Sequence, residues 1–198
     1  MKIKNKKFVP LIILCFLFSL TVTSCGSAKP EKDIEENNTT TPDAEKDSSL
    51  PYSSLSEGDT APDFSTVLTD GTGFTLSEQQ GKIVLLNFWA TWCGPCVREM
   101  PAFEKLHGEY GEDVVILAVN CMESEDIVKA FQEENSYTFP IACDPEGDVV
   151  LKYPSQGIPY TLVIDDKGTI RKIYVGAADA ETQYLEYKGA IDAVSAEE

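Results

Sequence analysis

Positive charge is scarce in this chain: 16 lysines and arginines stand against 33 acidic residues, a formal net charge of −17 at pH 7. Such a surface repels phosphate backbones and anionic headgroups, which argues against a nucleic-acid partner. Histidine occurs once, at His107, on what reads by period as the exposed middle of a helix, so no catalytic or metal role falls to it. No glycine-rich nucleotide or flavin motif is present, and electrons for any redox step would have to come from another protein. No apolar run reaches the roughly 20 residues that cross a bilayer as a helix. No internal repeat divides the 198 residues.

What is present begins with an export pattern. Lys2, Lys4, Lys6 and Lys7 precede an almost unbroken apolar stretch from Phe8 to Leu20, followed by Val22-Thr23-Ser24-Cys25. A basic start, a short apolar run and small residues before a cysteine read as a cleaved signal over residues 1–24. Val22 to Cys25 resembles a lipoprotein box, which implies that Cys25 becomes the lipid-bearing N-terminus; a plain signal peptide or an uncleaved anchor are the alternatives. Removing residues 1–24, which carry four lysines and no acids, would take the side-chain charge from −17 to −21.

Residues 25–56 are rich in Ser, Thr, Asn, Glu, Asp and Lys, and bury too little to offset the entropy of folding, so they read as a disordered acidic and polar tether. About 30 flexible residues span on the order of 30 Å. From Glu57 the pattern is globular. Ala61 to Thr69 and Phe74 to Leu76 read as a hairpin around Asp70-Gly71, and Lys82 to Trp89 as a strand buried on both faces. Cys93 to Tyr110 has helical period. Val114 to Val119, a helix from Ser124 to Asn135, and Phe139 to Cys143 continue a βαβ order, with the acidic run Glu123 to Asp126 read as a solvated helix start. Tyr160 to Ile164, Thr169 to Val175 and a helix from Glu181 to Val194 complete one α/β domain over 57–198.

The chemistry concentrates where the buried strand meets Cys93-Gly94-Pro95-Cys96. Two cysteines three apart at the first turn of a helix can close a small disulfide, and the helix N-terminus offers partial positive charge and free N–H groups to a thiolate. Cys93 is therefore the expected attacking thiol and Cys96 the resolving thiol. Half a zinc site fits poorly, because zinc knuckles sit in turns rather than after an apolar strand with Pro95 inside the pair. Glu99, one helical turn beyond Cys96, is positioned to approach the resolving thiol, while Asn87 on the preceding strand cannot titrate. Trp92 adjoins Cys93 and offers apolar contact to partners; Trp89 reads equally well as plain core.

The run Phe88-Trp89-Ala90-Thr91-Trp92-Cys93-Gly94-Pro95-Cys96, the later Gly157-Ile158-Pro159 and the order of elements resemble the thioredoxin superfamily. The Ala61-Pro62-Asp63-Phe64 opening, Arg98-Glu99-Met100-Pro101 and the extra helix and strand at 124–143 resemble its TlpA/ResA-like membrane-anchored branch. That resemblance implies a thioredoxin-like three-layer sandwich with a mixed central sheet, an N-terminal β-hairpin and a βα insertion. It implies a cis Pro159 beside the dithiol, with Trp92, Gly94, Pro95, Ile158 and Pro159 meeting the substrate, and a Glu99 tied to activity. It implies no cofactor, disulfide-containing protein substrates, an integral membrane thiol donor of the CcdA/DsbD type, and a site on the outer side of the cytoplasmic membrane held by the lipid at Cys25. Gly94-Pro95 is the dipeptide of the reducing members, and the acceptors this suggests are apocytochrome c or a methionine sulfoxide reductase. Tyr160 departs from the family, where Thr commonly follows the proline.

Cys121 and Cys143 close strands expected to be neighbours, so a second disulfide is within reach if registers match, with two free thiols or a resolving relay as alternatives. A peroxiredoxin-like thiol peroxidase shares the Ala61-Pro62-Asp63-Phe64 opening. That chemistry wants Thr or Ser three residues before its cysteine and a proline further upstream, where this chain has Ala90 and Leu86.

Overall fold

The computed structural model describes residues 54–197. The expected signal at 1–24, the lipidation site Cys25 and tether residues 25–53 lie outside the described residues. Ser65–Val67 (β1) and Gly73–Thr75 (β2) pair antiparallel as the expected hairpin. Its reversal uses Gly71 at φ +89°, a backbone setting that a side chain resists, and the Asp70 carboxylate accepts the Thr72 N–H. Ile83–Trp89 (β3) is buried at all seven positions. A helix, Gly94–Tyr110 (α1), follows, then Val114–Cys121 (β4), Glu125–Asn135 (α2), Ile141–Asp144 (β5), Tyr160–Ile164 (β6), Ile170–Val175 (β7) and Ala180–Ser195 (α3).

The main sheet runs β5-β4-β3-β6-β7, with β3, β4 and β5 parallel and β6 and β7 antiparallel to their inner neighbours. Side chains alternate across it. Ile83, Leu85 and Trp89 face a core shared with Met100, Phe103 and Leu106 of α1, Val128 of α2, and Tyr187 and Ile191 of α3. Val84, Leu86 and Phe88 face Phe64, Phe74, Tyr153 and Tyr160. The mixed three-layer sandwich is present, its second outer layer built from the hairpin and from short 3₁₀ turns at Leu76–Gln79 and Val150–Lys152. Packing starts before the expected boundary at 57: Leu55 lies half-buried against this second core.

α1 buries Cys96, Glu99, Met100, Phe103 and Leu106, the spacing of one helical face. α3 buries Tyr184, Tyr187, Ile191 and Val194 against it and is capped by Asp179, whose carboxylate accepts from Glu181 and Thr182 N–H groups. α2 starts after Ser124 as expected, although the Ser124 hydroxyl makes no cap bond. His107 is half-buried rather than fully on the surface.

The second disulfide does not form. β4 and β5 are neighbours, but Cys143 pairs in register with Asn120 and Cys121 with Asp144. One residue of offset sends adjacent side chains to opposite faces of a sheet. Cys121 accordingly sits in the hairpin-side core while Cys143 packs on the helical side, and both are free thiols. Denaturation and alkylation without reductant, followed by peptide mapping, should label Cys121 and Cys143 and leave Cys93 and Cys96 unlabelled.

Candidate active site

β3 and β4 end side by side, and the loops that leave them carry the chemistry. The chain turns after Trp89 through Ala90–Cys93, with the Cys93 N–H bonded to the Ala90 carbonyl at 3.1 Å. Cys93 becomes the N-cap of α1, and the Cys96 N–H points at its Sγ from 3.3 Å. A sulfur at an N-cap takes one of the helix's unpaired donors, and a thiolate there also gains from the helix dipole. The two cysteines are joined, with Cα atoms 5.3 Å apart. Cys93 is 6% exposed and Cys96 is sealed at 0%, so Cys93 is the sulfur a partner can reach, through a narrower window than a helix tip implies.

The Ile158–Pro159 peptide is cis, and the Ile158 carbonyl oxygen lies 3.8 Å from Cys93 Sγ. The Pro159 carbonyl is fixed by the Gly176 N–H at 2.8 Å. Trp92 stands 72% exposed next to Cys93, whereas Trp89 is wholly buried against Phe131, which decides between the two readings of that side chain. Gly94 is exposed and Pro95 half-buried in the first turn of α1. Tyr160, the departure after the proline, is buried against Phe88 and lines a groove of about 610 Å³ with Leu55, Pro154, Ile173 and Val175. A smaller and more enclosed cavity of about 140 Å³ lies by Lys82 and Asp165 at the other end of β3, away from the sulfurs.

Glu99 is fully buried, not a solvated helix residue. Its Oε1 accepts from Asn87 Nδ2 at 3.0 Å and its Oε2 from the Tyr187 hydroxyl at 2.7 Å. Burial raises its pKa from 4.5 to about 7, against the opposing pull of the Tyr187 and Asn87 hydrogen bonds. Asn87 thus supplies a donor where a titrating residue is absent.

Glu123, first in the acidic run expected to be solvated, is instead a tie between two loops. Its carboxylate accepts from the Thr91 N–H at 2.7 Å, the Thr91 hydroxyl at 2.5 Å and Asn120 Nδ2 at 2.8 Å. Burial pushes its pKa up, but the bonds from Thr91 and Asn120 more than offset this and hold it below the ordinary value. It ties the loop after β4 to the loop that presents Cys93. Thr91, Asn120, Thr161 and Tyr187 carried no signal in sequence, because their roles depend on contacts 26 to 88 residues apart in the chain or on the neighbouring loop. Among the described residues, no group of three or more His, Cys, Asp or Glu is disposed to hold a metal ion.

A redox dithiol at a helix N-terminus, beside a cis-proline loop on a mixed sheet, defines a thioredoxin-fold thiol–disulfide oxidoreductase. Comparison with known families narrows the class. The chain belongs to the AhpC/TSA family, whose pattern matches residues 57–173. It is 45% identical over 125 residues to the thioredoxin-like protein YneN of Bacillus subtilis, covering 62% of this chain and 73% of that protein. It is 42% identical over 132 residues to the thiol-disulfide oxidoreductase ResA of Geobacillus thermodenitrificans, covering 65% and 76%. Among solved structures, the exposed lipoprotein thioredoxin Etrx1 of Streptococcus pneumoniae superposes with a TM-score of 0.57 at 29% identity, covering 65% of this chain and 99% of that one.

Two measurements follow from the glutamates. An acid whose folded pKa lies above its unfolded value gives stability that is fully present below the unfolded pKa and lost as pH rises through the folded one. Between pH 4.5 and 8 the wild type should therefore lose roughly 3 kcal/mol of unfolding free energy relative to Glu99→Gln, as read by urea melts at each pH. Glu123→Ala should cost about 2–3 kcal/mol and accelerate hydrogen exchange of the Thr91 amide, since it strands donors that now meet a carboxylate.

Proposed function

We propose that this protein reduces disulfides of exported proteins from the outer side of the cytoplasmic membrane, to which a lipid on Cys25 anchors it. The observation that carries the chemistry is the pairing of a reachable Cys93 at the α1 N-cap with a sealed Cys96 one turn inside. In the reduced protein, the Cys93 thiolate attacks one sulfur of a substrate disulfide and the other substrate sulfur leaves as thiolate. Cys96 loses its proton to Glu99 and attacks Cys93 Sγ, releasing the second substrate sulfur. Two electrons pass to the substrate and the Cys93–Cys96 disulfide results. Trp92, Gly94, Pro95 and the Ile158–Pro159 backbone receive the substrate chain around the sulfurs.

The anchoring reading is supported by the lysine-led apolar stretch, by Cys25 after small residues, and by the likeness to an exposed lipoprotein thioredoxin. In this reading residues 1–24 are the signal, 25–56 a tether, and 57–198 the catalytic domain. Recharging needs a dithiol donor in the membrane, for which the CcdA/DsbD type is the proposal. Cytochrome c maturation is the pathway proposed from the resemblance to the TlpA/ResA-like branch, with methionine sulfoxide reductase support as the other outlet. The family match is what favours the thiol peroxidase alternative, against which Ala90 places a buried methyl where that chemistry wants a hydroxyl.

Cys93→Ser should abolish insulin reduction, and Cys96→Ser should accumulate mixed disulfides on Cys93 whose partners name the substrate. Unchanged turnover in Cys93→Ser removes the catalytic assignment. A redox titration should fall nearer to about −270 mV than to about −120 mV; the reverse would make the protein an oxidant. Cys25→Ser should release the protein from the membrane fraction, and turnover of hydroperoxide at rates above those for disulfides would favour the peroxidase.

A further inference from the structure

Glu99, the proton acceptor of the proposed exchange, is held by a buried polar cluster whose donors can be counted. Asn87 Nδ2 has two hydrogens, one given to Glu99 at 3.0 Å and one to Thr161 Oγ1 at 2.9 Å. Thr161 has a single proton of its own, and the Tyr187 oxygen lies 3.2 Å away. The single phenolic proton of Tyr187 has two acceptors in reach, Glu99 Oε2 at 2.7 Å and Thr161 Oγ1 at 3.2 Å, and the shorter contact to the carboxylate takes the larger share of it. Thr161 Oγ1 thus accepts from both Asn87 and Tyr187, the two residues whose donors also hold the carboxylate. Burial, and then the charge of Glu99, push the Tyr187 phenol well above its ordinary pKa, so it stays a donor.

The ring that carries this hydroxyl is fixed by packing. Tyr187 is fully buried, stacks on Phe103 with centroids 5.5 Å apart and planes 6° apart, and meets Tyr174 edge-on at 5.1 Å. Among the described residues no lysine, arginine or histidine pairs with Glu99. The groups that bear on it are Tyr187 from α3 and the non-titrating Asn87 from β3, both of which also bond Thr161 of β6, while Cys96 precedes it by one turn in the sequence of its own helix.

We propose that Tyr187 is a positioning residue for the disulfide exchange: its hydroxyl, on a ring locked by Phe103 and Tyr174, holds and polarises the Glu99 carboxylate and so governs how readily that group exchanges a proton. The proposal rests on Glu99 acting in the exchange, and its test separates the two. In the full chain with ¹³C-labelled glutamate carboxyls, the Glu99 resonance is the one missing from Glu99→Gln. Tyr187→Phe keeps the ring and removes one hydrogen bond to the charged form, so the Glu99 midpoint should rise by about one pH unit or more. The pH profile of insulin reduction should move with it. Thr161→Val removes the competing acceptor of the Tyr187 proton, so both should shift the opposite way by less, and it serves as the test if Tyr187→Phe does not fold. An unmoved carboxyl midpoint in a folded variant overturns the proposal while leaving the role of Glu99 intact. A midpoint that moves without the activity profile overturns both.

Discussion

The site depends on the short interval between the end of β3 and the start of α1. β3 is buried on both faces and paired on both edges, so it has no freedom to slide: a shift by one residue would send Leu86 and Phe88 among the helices and Asn87 and Trp89 into the hairpin-side core. α1 is held as firmly by Met100, Phe103 and Leu106. Between these fixed bodies lie Ala90–Cys93, and Glu123 fastens Thr91 from the neighbouring loop. Cys93 therefore reaches the helix N-cap because the core leaves the chain nowhere else to turn.

The same packing sets the electrostatics. Glu99 and Glu123 are chemically identical side chains with opposite fates. Glu123 is half-buried and receives bonds from Thr91 N–H, Thr91 hydroxyl and Asn120 amide, which outweigh desolvation and keep it ionised. Glu99 is sealed in the core with bonds from Asn87 and Tyr187 only, and there desolvation wins. The first is a tie that stays charged. The second sits where both protonation states are populated near neutral pH, the condition under which a carboxyl can take up and return a proton.

Features set by local chain chemistry were legible in the sequence. The buried strand at 83–89, the helix after Cys93, the β6–β7 hairpin around Asp165-Asp166-Lys167-Gly168 and the dithiol itself follow from apolar runs, turn residues and the Cys-Gly-Pro-Cys junction. The cis bond at Pro159 came through resemblance, not from spacing. Misreadings share one cause. Cys121 and Cys143 miss each other by one residue of register, and Glu123 is a tie between loops rather than a solvated acid, because each depends on which distant segment lies opposite.

The sequence by itself determined that two cysteines would share a helical turn after a buried strand, because both facts depend on residues adjacent in the chain. Only the tertiary structure decided how narrow the window to Cys93 is, which glutamate loses its water and which keeps its charge. Those outcomes are set by solvent exclusion and by donors such as Tyr187, 88 residues from Glu99 in the chain and 2.7 Å from it in space.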